Sequence, residues 1–215
     1  MITTEQEAAI RDTLATMPEL AVGTGTAEKA CSIAALNLAL TGTLTDTVPD
    51  CMSLVIGRWI IRVQDQCPAT IRDSAAWREL LVLAAGTGRE HEEARIALVL
   101  SWMWDAIALV QPRADAGGYG TAWATMLRER TAEAARFASA YASAAADASA
   151  EAAYAAAYAY AEAAYAAAAA YAAAAGAAAA ADAAANAAAW TAIDPISCLR
   201  RLVAVTDERA MAVQP

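Results

Sequence analysis

The sequence predicts an all-α protein: an N-terminal helical bundle, then a very long alanine-rich helix (or helical hairpin), then a short C-terminal helix. Three observations predict it. Apolar residues in the first half of the chain recur at three- and four-residue spacing. Proline and glycine punctuate that half at intervals of about one helix length. From Thr121 to Trp190 there is no proline and only one glycine, Gly176, while alanine supplies 40 of residues 131–190.

The elements follow in order. Thr4-Glu5-Gln6-Glu7 has the form of a capping box, with Ala9, Ile10, Leu14 and Met17 on one stripe behind it; Pro18 and Gly23-Thr24-Gly25 end that helix. Thr26 is placed to cap a second helix reaching about Leu40, in which Ala30, Ile33, Ala34, Asn37 and Leu38 are spaced for burial. Residues 41–50, TGTLTDTVPD, have the composition of a loop. Residues 51–66, CMSLVIGRWIIRVQDQ, are rich in β-branched side chains, so a strand competes. However, Val55, Ile56, Trp59, Ile60 and Val63 fall on one helical face, with Arg58, Arg62 and Asp65 on the other. Pro68 stops this third helix. Ser74 caps a fourth, closed by Gly86 and Gly88, and a fifth runs from about Arg89 to Gln111 before Pro112.

Alanine is the strongest intrinsic helix former, so residues 121–190 are expected to be helical with little tertiary help. At 1.5 Å per residue they would make a rod of roughly 105 Å. A near-pure alanine face containing Ala145, Ala152, Ala156, Ala163, Ala167 and Ala174 lies roughly opposite an acidic sector with Tyr154, Tyr158 and Tyr165. These residues are the expected homo-oligomer interface, because small side chains let helix axes approach closely and a bare alanine face is poorly soluble. Asp194-Pro195 restarts the chain as N-cap and first helical residue, and Ile196, Leu199, Leu202 and Val203 then provide a packing face. The expected organisation is a helical domain over 1–116, the oligomerising helix over 121–190 and a packing helix over 194–206.

Charge and composition exclude several functions. The net charge is −9, and Lys29 is the single lysine. Without a basic cluster, duplex nucleic acid and anionic membrane surfaces are poor partners. The nineteen uncharged residues 163–181 approach a membrane span in length but contain no Leu, Ile, Val or Phe. The opening MITTEQEAAIRD lacks the basic and apolar regions of a secretory leader. Cys31, Cys51, Cys67 and Cys198 form no C-x-x-C pair. The expected setting is therefore cytoplasmic, with reduced thiols.

No motif for catalysis, metal or cofactor stands out. His91, in REHEEAR, is the one histidine, and Arg95 occupies the position where H-E-x-x-H needs its second. The glycine-rich pieces at 84–88 and 117–120 do not precede G-K-[ST]. Asp46 and Asp50 lack the spacing of a calcium loop. One constellation does point to binding: Arg58, Trp59, Arg62, Trp77, Arg78 and Trp102 carry the chemistry to hold a flat anionic ligand by stacking and bidentate hydrogen bonds. The competing reading puts the tryptophans in the core and pairs the arginines with Asp65 or Glu79.

The order of CSIAALNLALTGTLTDTVPDCMSLVIGRWIIRVQDQCP, LLVLAAGTGREHEEARIALVLSWMWD, an Ala-Tyr-Ala tract and AIDPISCLRRLVAV resembles uncharacterised alanine-rich proteins of bacteriophages and prophages. The resemblance spans nearly the whole chain and brings no activity or functional residues with it. It implies a small accessory protein that neutralises a host factor. The expected function is thus that of a non-enzymatic binding protein in the host cytoplasm. It would sequester a host protein or a small anionic signalling ligand, and would be oligomeric through the long helix. The alternative is a scaffold that assembles through that helix. An enzyme is disfavoured because no nucleophile–base pair can be named.

Overall fold

The computed structural model describes residues 2–144 and 187–205. Among them, the regular structure is helical, and the one β-bridge joins Gly25 and Ala30. The all-α expectation therefore holds. The helices are α1 (Thr4–Thr16), α2 (Ser32–Thr41), α3 (Leu54–Gln66), α4 (Ala69–Arg72), α5 (Ala75–Ala85), α6 (Glu92–Ala108), α7 (Gln111–Ala116), α8 (Gly120–Glu129), α9 (Ala132–Ala144), α10 (Ala187–Ile193) and α11 (Pro195–Val203). None of them is long and apolar enough to cross a membrane.

The chain divides into two compact units, one of Met1–Leu98 with Pro195–Pro215 and one of Val99–Asp194. In the first, α1, α2, α3, α5 and α11 pack on one another around Ile10, Leu14, Ile33, Leu36, Ile56, Trp59, Ile60, Trp77, Leu81, Leu199 and Leu202, all buried. The division follows contact rather than chain order. The C-terminal helix, expected as a packing helix, contributes Leu199 and Leu202 to this core. In the second unit α8 packs on α7 and α9, and Trp123, Met126, Ala135 and Ala138 are buried.

Local chemistry sets the helix ends, in places one step away from the sequence reading. The capping box at α1 is Thr3 with Gln6, not Thr4 with Glu7: Gln6 N–H donates to Thr3 Oγ1 and Thr3 N–H donates to Gln6 Oε1. The second helix starts at Ser32 rather than Thr26. Residues 24–31 close a tight loop instead, with Thr26 N–H on Lys29 O, Cys31 N–H on Thr24 O and Gly25 at φ 79°. Ser53 and Ser74 cap α3 and α5 as side-chain acceptors. Pro112 does not simply end the fifth helix; it sits in the first turn of the short α7, where its missing N–H costs nothing.

Over 121–190, where one long helix or a helical hairpin is expected, a very long helix is not seen among the described residues, and the helix is interrupted at Arg130. Arg130 takes a left-handed conformation (φ 50°), caps α8 through its N–H on Met126 O, and the chain restarts as α9. The longest described helix, α6, has 17 residues. The interface residues Ala145, Ala152, Tyr154, Ala156, Tyr158, Ala163, Tyr165, Ala167 and Ala174 lie outside the described residues. Beyond the break, α11 begins at Pro195 as expected, after Asp194 in a left-handed conformation (φ 42°).

Candidate functional site

Of the residues expected to bind a flat anion, the three tryptophans and Arg78 have other duties in the structure. Trp59 and Trp77 are fully buried and stacked on each other, with ring centroids 6.0 Å apart. Trp77 Nε1–H donates to the buried Ser32 Oγ at 3.0 Å. Arg78 spends its guanidinium on the carbonyls of Leu14, Pro18 and Asp73, which fastens the segment after α1 to the start of α5. Arg58 is exposed and Arg62 half-buried on α3. Trp102 belongs to the second unit, where its indole N–H donates to Ile193 O. The tryptophans thus fill cores, and Glu79 pairs with Arg11 at the surface. Asp46 accepts from Thr24 Oγ1, and Asp50 meets Arg89 at 3.1 Å.

A different set of charged residues meets at a cavity of about 700 Å³ in the first unit. It is lined by Leu83 and Gly86 at the end of α5, by Thr87, Gly88, Glu90 and His91 in the following connection, by Arg95 of α6, and by Arg200 and Val203–Val205 at the end of α11. The connection is held stiffly. Gly88 N–H donates to Cys51 O, and Thr87 Oγ1 donates to Ala84 O while accepting from Ser53 N–H. Gly88 has φ 62°, and a Cβ there would meet the Glu90 carboxylate, so glycine is required. His91 is also left-handed (φ 63°), a conformation that costs a non-glycine residue about 1–2 kcal/mol. It is the last residue before α6, and its carbonyl accepts the Arg95 N–H.

Arg95 forms the floor. Only 1% of it is exposed. Its Nε donates to Leu202 O, Nη1 to Gly88 O and Glu90 O, and Nη2 to Thr87 O. A guanidinium has five N–H groups, so among the described residues one is uncommitted. Burial pushes the Arg95 pKa down from its ordinary value, opposed by the nearby Glu92 and Glu90. The bonded Arg95 N–H groups are satisfied by one carbonyl at the end of α11, Leu202 O, and three in the α5–α6 connection. With Arg200 lining the same cavity and Glu90 as the single lining carboxylate among the described residues, two positive groups face one negative. The lining is positive by one charge with His91 neutral, in a chain of net charge −9.

The Thr87 hydroxyl is committed to Ala84 O. Among the described residues no three His, Cys, Asp or Glu side chains come together to hold a metal ion. Sequence reasoning passed over Arg95 because it appeared only as the residue spoiling a metal motif. Arg200 had no signal until α11 was placed against α5.

No family model, no curated protein and no solved structure matches the chain.

Proposed function

We propose that this chain is a non-enzymatic helical binding protein that takes a small carboxylate or phosphate anion into the Arg95 cavity and acts stoichiometrically. The supporting observation is the local reversal of charge: a cavity of ligand size, positive in an otherwise acidic chain, with a buried arginine held in place by four carbonyls. A preorganised guanidinium loses little freedom on binding, which favours affinity. Together with the resemblance to phage accessory proteins, this supports sequestration of a small anionic signalling ligand in the host cytoplasm. The alternative, assembly through residues 131–190, draws its support from their alanine content.

Native mass spectrometry of protein purified gently from its host tests the binding reading. A small anion released on denaturation, and lost in Arg200→Glu, is the expected result. If no anion accompanies the protein, and inorganic phosphate, citrate and nucleotides all fail to raise its melting temperature, the reading is wrong. Deleting residues 131–190 separates the two readings, since an anion cavity in the first unit survives the deletion and a scaffold does not.

A further inference from the structure

A second cavity, of about 390 Å³, opens between α8 and α9 in the second unit. Its walls carry three aromatic rings, Tyr119, Phe137 and Tyr141, and two carboxylates, Glu129 and Glu133. Among the described residues that line it, none is basic. Phe137 and Tyr141 stand one helical turn apart on α9 with ring centroids 5.4 Å apart, and they remain 59% and 51% exposed. Two large aromatic side chains are not left in water by packing need, since either could be replaced by alanine without opening a core. Tyr119 lies at the opposite extreme. It is 3% exposed, it packs edge-on against Trp123, and its hydroxyl has no hydrogen-bond partner among the described residues. A buried hydroxyl left unsatisfied is unfavourable, so its persistence beside a cavity points to a ligand that satisfies it.

We propose that this cavity binds a small organic cation of the alkylammonium class. Aromatic faces attract a cation through their quadrupole and do so best when the cation is weakly hydrated, as a quaternary ammonium is. Glu133 supplies the countercharge, since Glu129 is paired with Arg128 at 3.2 Å, and Tyr119 Oη offers a hydrogen bond to a polar group on the ligand's tail. An anion is repelled by Glu133, and a neutral apolar molecule leaves that carboxylate without a partner among the described residues. The volume fits a free small molecule. The site lies in the second unit and stands independently of the anion cavity in the first.

The test is isothermal titration of the full chain with choline and with its neutral isostere 3,3-dimethylbutan-1-ol. Choline is expected to bind at least about tenfold more tightly. Glu133→Gln and Tyr141→Leu, both at exposed positions, should each weaken choline several-fold, while Tyr119→Phe should weaken it and leave the smaller tetramethylammonium unaffected. Equal binding of choline and the alcohol overturns the proposal and reduces the cavity to an apolar groove. So does the absence of choline binding in a chain whose helicity by circular dichroism is intact. A trimethyllysine peptide that binds far more tightly than choline also overturns it, because the occupant is then a protein side chain.

Discussion

The Glu92 carboxylate caps a helix other than its own, accepting the Leu54 N–H at 2.8 Å and, on its second oxygen, the Ser53 hydroxyl at 2.8 Å and the Val55 N–H at 3.3 Å. Ser53 in turn accepts the Ile56 N–H, so the first turn of α3 is satisfied by one serine and one distant glutamate. Glu92→Ala removes three hydrogen bonds and a favourable charge at a helix N-terminus. The expected loss is about 1–3 kcal/mol in urea denaturation, with Glu92→Gln intermediate. A neutral Glu92→Ala would show that water replaces the carboxylate.

Arg95 ties the end of α11 to the α5–α6 connection. Arg95→Ala strands the carbonyls of Leu202, Thr87 and Glu90 and should cost about 3 kcal/mol or more. Lysine cannot span the same acceptors, because its ammonium is a point donor without the planar fork. Arg95→Lys should therefore recover less than half of the loss in chemical denaturation. Full recovery would mean that the charge matters and the fork does not.

Cys67 is buried in the first unit, and burial pushes its thiol up to about 12 from an ordinary 9.0. The folded state then holds a proton that the unfolded state releases above pH 9. Stability from the neutral thiol is complete below pH 9 and falls as pH rises from 9 to about 12, by up to about 1.4 kcal/mol per pH unit. Cys67→Ser titrated against the parent over this range should lack that contribution. Thiol labelling checks the same point kinetically: half-exposed Cys51 should react first, and Cys31, Cys67 and Cys198 only on opening of the fold.

Arg130 caps α8 in a left-handed conformation while its guanidinium lies 5.6 Å from the centre of the Trp104 ring. Arg130→Ala loses the cation–π contact and keeps the backbone strain, whereas Arg130→Gly loses the contact and relieves about 1 kcal/mol of strain. The glycine variant should melt higher than the alanine variant. The reverse order would indicate that α8 and α9 straighten into one helix when the arginine is removed.

The helical class, Ser74 as a cap, the 41–50 loop and the start of α11 at Pro195 were legible because each depends on neighbours within a few residues. Amphipathic spacing, hydroxyl caps and proline's locked φ act locally. The six-residue Arg/Trp constellation was legible as chemistry but not as placement. Stacking of Trp59 on Trp77 turns inward the rings that a ligand would need.

What the sequence by itself determined is therefore the helical character of the chain, several of its helix boundaries and its acidic balance. Only the tertiary structure decided which charges meet. It brought Arg200 to Arg95 across more than a hundred residues, gave Glu92 to the wrong helix by sequence and the right one by packing, and broke the expected long helix at Arg130. The physical reason is the same in each case. A buried guanidinium, an uncapped helix end and a left-handed residue are each unfavourable alone, and each is stabilised by partners that only packing supplies.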